Sequence, residues 1–263
     1  MSKPTFIFSA GWRSGSTMLQ RVITASGQTL VWGEAGGALD RLADLMTCYD
    51  QMLGPGNKRF KHGFGGNGAE EFSKFKSAGP NGVHDWIACM NPPLETFAAA
   101  ARDFLDAVYA RPAEILGYQN WGVKEVQSDI ETASFLRLLY PKARFVFLVR
   151  NPISCLNSIK RHNWMDRPKD PKALEYYALH WLRLSQGFSQ ADFGLHIKYE
   201  DIVSSKEHQK ELGAYLELDS LPNHFGEARH VDWAGMNNNT LSYWEKRRLL
   251  RIVGDEMKLY NYL

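Results

Sequence analysis

Residues 5–25 read TFIFSAGWRSGSTMLQRVITA. Thr5 to Ala10 is a β-rich apolar run closed by Gly11, and Thr17 to Ala25 sets Met18, Leu19, Val22 and Ile23 at helical spacing. The stretch therefore predicts strand, loop and helix in that order. A loop so placed can turn its backbone N–H groups and the helix amino end toward one point, which suits an anion. Outward from it the alternation continues. Thr29 to Trp32 predicts a second strand ending at Gly33-Glu34, Ala38 to Met52 and Leu94 to Tyr109 predict helices, and Gly122 to Val126 predicts a strand. Ile130 to Leu139 reads as a helix closed by Pro141, and Ala143 to Val149 (ARFVFLV) as a central strand covered on both faces. Pro152 to Arg161 predicts a helix with proline in its first turn, where proline costs least. Helices around Leu174 to Gln190 and Lys206 to Glu217 bracket a strand at Gly194 to Tyr199, and Leu241 to Leu250 reads as helical. This pattern predicts an α/β fold, a mostly parallel sheet with helices on both faces. Ligands in such folds bind at the carboxyl ends of strands, so the loops after Ala10, Trp32, Val126 and Val149 should share one crevice.

The first loop, Gly11-Trp12-Arg13-Ser14-Gly15-Ser16-Thr17, resembles a P-loop, but Ser16 stands where that motif carries its lysine. Arg13 supplies a fixed positive charge instead. A second cluster follows the central strand: Arg150-Asn151-Pro152, with Ser158 eight positions after Arg150 on the next helix. Arg150 by its fork and Ser158 by its hydroxyl could hold a further phosphate. Two anion sites point to a doubly phosphorylated ligand.

At 263 residues the chain is long enough for one generous domain, so 1–263 is read as a single P-loop-like α/β domain. Within it, residues 54–82 carry Gly54-Pro55-Gly56, Gly63-Phe64-Gly65-Gly66-Asn67-Gly68 and Gly79-Pro80-Asn81-Gly82, and no regular element of any length fits there. Thirty-one basic against 29 acidic residues leave a net charge of +2, which argues against nucleic acid or an anionic membrane as partner. Cys48, Cys89 and Cys155 are odd in number and lack CxxC spacing, so they are read as buried thiols in a reducing compartment rather than disulfides or zinc ligands. The short apolar run at residues 5–10 is neither a signal peptide core nor a membrane span, and no longer one follows; the expected location is the cytoplasm. His62, His84 and His162 show no metal spacing.

The segments WRSGSTML and RFVFLVRNPISCLNSIKR resemble the 5′-phosphosulfate loop and the 3′-phosphate motif of the sulfotransferases, which use 3′-phosphoadenosine 5′-phosphosulfate (PAPS). Glu34, 21 residues after Arg13, resembles the glutamate base of tyrosylprotein and of some bacterial and carbohydrate sulfotransferases. Gly122-Val123-Lys124 looks like that family's lysine strand, and Ile197-Lys198-Tyr199-Glu200-Asp201 resembles its "YED" strand end, whose tyrosine lies near the adenine. The cytosolic phenol and steroid branch has a tryptophan that stacks on adenine where Met18 stands here, and its histidine base and late glycine-rich segment have no recognisable counterpart; Arg229 or Asn237-Asn238-Asn239 could substitute for that segment.

The resemblance implies sulfuryl transfer from PAPS to a hydroxyl, without a metal. The acceptor would be a small molecule, a carbohydrate or a peptide, with residues 54–82 as a flexible insertion on its side. Glu34 would take the acceptor's proton, and Arg13 and Lys124 would neutralise charge on the bridging and leaving oxygens. Ser14, Gly15, Ser16 and Thr17 would hold the 5′-phosphate, Arg150 and Ser158 the 3′-phosphate, and Tyr199 the adenine side. Lys124 could instead pair with Glu125, and Glu125 could take the base role if the strand faces are reversed. Trp12, Trp121 and Trp164 are candidates to line the acceptor crevice. Other readings are a small-molecule P-loop kinase, disfavoured by Ser16, and a non-catalytic nucleotide-binding protein.

Overall fold

In the computed structural model, residues 3–53, 68–78, 90–162, 171–222, 225 and 240–263 are described. Five strands, β1 (Thr5–Ser9), β2 (Thr29–Trp32), β3 (Asn120–Glu125), β4 (Arg144–Val149) and β5 (Leu195–Lys198), form one sheet in the order β2-β3-β1-β4-β5. Every pairing is parallel, with Thr5 opposite both Gly122 and Arg144, so all strand carboxyl ends point the same way. At Gly122 a side chain would strike the Thr5 carbonyl across the strand pair, so only glycine lets β3 lie against β1 there.

The period-2 alternation of β1 and β4 sorts their side chains by shape. Ile7, Val146 and Leu148 join one buried aliphatic cluster with Met18, Leu19, Val22 and Ile23 of α1 (Ser16–Thr24), Ile202 of α9 (Tyr199–Ser204) and Leu212 of α10 (Lys206–Tyr215). The opposite face is aromatic. Phe6 and Phe8 of β1 pack against Phe145, and Phe147 lies 5.1 Å, ring centre to ring centre, from Phe188 of α8 (Pro171–Ser189). Trp121 meets Phe6 edge-on, with Tyr140 after α6 (Ile130–Leu139) completing that group. Burying one such phenylalanine contributes about 1.5 to 3 kcal/mol, so this two-faced core fixes the strand register. The expected α/β architecture, a parallel sheet flanked by helices, is the one found.

The chain divides into two compact units, one of residues 38–108 and the other of 1–37 with 109–263. The smaller is helical: α2 (Ala38–Leu53), α3 (Gly68–Ala78) and α4 (Leu94–Leu105), with Tyr49 stacked on Phe97 at 5.3 Å and donating its hydroxyl to the Pro92 carbonyl. The larger holds the sheet and the other helices. There α5 (Arg111–Ile115) precedes β3, α7 (Pro152–Arg161) follows β4, and α11 (Tyr243–Leu259) packs on α8.

Three expectations need correction. Residues 54–82 were expected to hold no regular element, yet Gly68–Ala78 forms α3, whose Phe72 and Phe75 recur at helical spacing between the glycine clusters; residues 54–67 and 79–82 lie outside the described residues. Tyr199 does not end β5 but opens α9 without a linker. Cys155 is buried as read, its thiol donating to the Arg13 carbonyl, but Cys48 is exposed on α2, and Cys89 lies outside the described residues. Among the described residues no helix is long and apolar enough to cross a membrane.

Candidate active site

The loop between β1 and α1 takes its shape from residues with positive φ: Gly11 at 82°, Arg13 at 62° and Gly15 at 98°. An arginine in that region is uncommon, and such strain gathers at ligand-binding loops. The buried hydroxyls of Ser9 and Ser14 share a hydrogen bond that ties the loop to its own strand. Gly15 precedes the first residue of α1 and meets the Tyr199 ring where a β-carbon would stand.

Arg13 and Arg150 come together. The Arg150 guanidinium donates through Nη1 to the Arg13 carbonyl at 2.9 Å, and it lies 4.0 Å over the ring of Tyr199. Arg13 Nε donates to Ser158 Oγ at 3.0 Å. His162, one turn beyond Ser158 at the carboxyl cap of α7, donates from Nδ1 to the Ser158 carbonyl at 2.7 Å, which leaves Nε2 facing Arg13 Nη2 at 3.4 Å. Burial, and next to it the like charge of Arg150, push the Arg13 guanidinium below its usual range. Two cations held this close are poised for an anion. Arg150 Nε is buried with no hydrogen-bond partner among the described residues. A phosphate oxygen would satisfy that atom and offset the repulsion, so the donor set fits a phosphorylated nucleotide.

Behind Arg150 stands a second layer. Its carbonyl accepts the Trp181 indole N–H at 3.1 Å, and the next residue, Asn151, caps α7 by accepting from Ile153 N with its side chain. The Asn151 N–H donates to Glu200 Oε1 at 3.1 Å. Glu200 Oε2 in turn accepts from the Tyr262 hydroxyl at 2.9 Å.

The carboxylate side is built by β2 and β3. Glu34 lies two residues past β2, and Lys124 and Glu125 end β3. Lys124 Nζ donates to Glu34 Oε1 at 2.5 Å; the lysine side chain is 5% exposed and the glutamate 40%. Glu125 is buried. Its Oε1 accepts the Ala35 N–H at 2.7 Å and so fixes the chain immediately after Glu34. Trp12 stacks on His180 at 4.7 Å and receives the Tyr177 hydroxyl on its carbonyl, which seats the loop on α8. Burial pushes the His180 ring below its ordinary range.

The sequence-expected residues thus fall into two groups at the strand carboxyl ends: Arg13, Ser14, Gly15, Ser16, Thr17, Arg150, Ser158 and Tyr199 in one, Glu34 and Lys124 in the other. Trp121 is no crevice residue. It is 2% exposed and stacked on Tyr109, in the core. Trp164, Arg229, Asn237, Asn238 and Asn239 lie outside the described residues. Sequence reading passed over His162, Trp181, Glu200 and Tyr262 as site residues. The one-turn spacing of His162 from Ser158 was the available signal; nothing local marked Trp181 or Tyr262. Among the described residues, no group of three or more His, Cys, Asp and Glu side chains could hold a metal ion.

Comparison with known proteins bears on the family and the fold. No curated protein matches the sequence. Among solved structures, the fold is similar to the sulfotransferase domain from the curacin biosynthetic pathway, at 15% identity and a TM-score of 0.52, covering 97% of this chain and 98% of that one. It is also similar to the sulfotransferase domain from the Synechococcus PCC 7002 olefin synthase, at 18% identity and a TM-score of 0.50, covering 97% and 96%. The sequence itself matches the sulfotransferase family over residues 4–221. With most of its length so matched, the chain belongs to the sulfotransferase family and is an enzyme that draws its sulfuryl group from PAPS.

Proposed function

We propose that the enzyme transfers the sulfuryl group to a hydroxyl of a small-molecule, carbohydrate or peptide acceptor by in-line displacement, with Glu34 as general base. PAPS, when bound, supplies a sulfuryl group on a phosphate leaving group. The observation that carries the reading is the meeting of Arg13 and Arg150 beside Ser158. It supports a nucleotide gripped at both phosphates, with Ser14, Gly15, Ser16 and Thr17 at the 5′ end and Arg150 and Ser158 at the 3′ end. Arg13 touches Ser158 by its side chain and belongs to the 5′ loop by its backbone, so it links the two ends. Tyr199, wedged between Gly15 and Arg150, supports the adenine side as well as Arg150 itself.

Glu34 suits the base role because Lys124 fixes one carboxylate oxygen while the side chain stays 40% exposed, open to an incoming hydroxyl. The proton leaves the acceptor oxygen for Glu34 as that oxygen approaches sulfur. Lys124, beside it, faces the negative charge that develops during transfer. The cytoplasm is the assigned compartment, supported by the free thiols of Cys48 and Cys155.

Incubation with radiolabelled PAPS and panels of hydroxyl acceptors tests the assignment. Glu34→Gln should lower transfer by about 10²- to 10⁴-fold while binding of adenosine 3′,5′-bisphosphate persists. Full turnover in that variant would remove Glu34 from the base role.

A further inference from the structure

Residues 260–262 lie beyond the segment matched by the family, 4–221, yet they reach the end of β4. The Tyr262 hydroxyl donates to Glu200 Oε2 at 2.9 Å, with the Val149 carbonyl at 3.4 Å as a second acceptor. The other Glu200 oxygen holds the Asn151 N–H. Val149 and Asn151 are the two neighbours of Arg150, so Tyr262 touches the turn on both sides of the arginine, directly at one and through Glu200 at the other. The segment is itself fixed. Tyr260 stacks on Tyr262 at 6.2 Å, donates its hydroxyl to the Ser185 carbonyl of α8, and offers its own carbonyl to Lys198. Lys198 also pairs with Asp201, one residue beyond Glu200. Burial, reinforced by the Glu200 charge, pushes the Tyr262 phenol far above its ordinary range, so it stays a hydrogen-bond donor.

We infer that Tyr262 and Glu200 form a strut that positions Arg150, and that the enzyme's preference for a 3′-phosphorylated nucleotide depends on this strut. The inference rests on the reading of Arg150 as the 3′-phosphate ligand. A guanidinium reaches bidentate geometry only if its backbone is fixed to a fraction of an ångström. Trp181 holds the Arg150 carbonyl, and the strut holds the residues on either side of it. Tyr262 and Glu200 are positioning residues; neither needs to touch the nucleotide.

The test is titration of the full chain with adenosine 3′,5′-bisphosphate and, separately, with adenosine 5′-monophosphate. Tyr262→Phe, which removes one hydroxyl from a retained ring, should weaken the bisphosphate about fivefold and the monophosphate less than twofold. Glu200→Ala should weaken the bisphosphate further, and Glu200→Gln, which keeps an acceptor for the Asn151 N–H, should recover most of that loss. A merely structural role would depress both nucleotides alike; equal losses, or none, overturn the inference. Arg150→Ala separates the two layers of the argument. If the preference for bisphosphate survives Arg150→Ala, the phosphate assignment falls and the strut with it. If Arg150→Ala abolishes the preference and Tyr262→Phe leaves it intact, the strut alone falls.

Discussion

Gly15 shows how one position can carry both strain and fit. Its φ of 98° excludes most side chains, and a β-carbon there would run into the Tyr199 ring that supports Arg150. Gly15→Ala should therefore cost nucleotide affinity at least tenfold, through displacement of Tyr199, and isothermal titration would read it directly. Arg150→Ala should weaken adenosine 3′,5′-bisphosphate by about 1.5 to 3 kcal/mol more than adenosine 5′-monophosphate, the value of a charge-assisted contact. The same two residues show what the sequence discloses at this scale. Arg13, Gly15, Arg150 and Ser158 stand at fixed offsets from strand ends, and offsets survive translation into space. Tyr262 has no offset from Arg150 to read; only the path of α11 brings it there.

The end of β3 argues the point for elements. Lys124 and Glu125 are adjacent, and strand alternation alone leaves open which of them faces Glu34. Both in fact serve the same loop, one through the Glu34 carboxylate and one through the Ala35 N–H. Glu125→Leu would leave the Ala35 N–H without its carboxylate and loosen the chain beside Glu34, so kcat should fall about tenfold or more with bisphosphate binding unchanged. Steady-state kinetics beside titration would separate the two effects. The strongly apolar β1 and β4 could be placed from their side chains alone, because a strand covered on both faces has few alternatives. Helix α3 was concealed by glycine clusters on either side, and α9 because it follows β5 with no turn residues between.

Across the whole molecule, the amino-terminal end of the sheet is tied by charge. Glu217, an exposed residue after α10, pairs with Arg144 at the start of β4 and with Lys3 before β1. Arg144, and after it Lys3, pull its carboxyl from near 4.5 down to about 2. A carboxyl held low in the fold adds stability that is complete above its unfolded value and is lost as pH falls toward the folded one. Thermal unfolding followed from pH 5 to pH 2 should thus show a decline concentrated between about 4.5 and about 2, which Glu217→Gln flattens.

The central place of β1 also sets an order in time. Its residue Thr5 is opposed by Gly122 on one side and by Arg144 on the other. During translation, Phe6, Ile7 and Phe8 leave the ribosome on the order of ten seconds before their partners exist. Until then those side chains are ligands for chaperones, and a nascent chain halted ahead of β4 should be held by them and fail to retain nucleotide. Arg13 is thus made well before Arg150, the residue it meets in the folded chain.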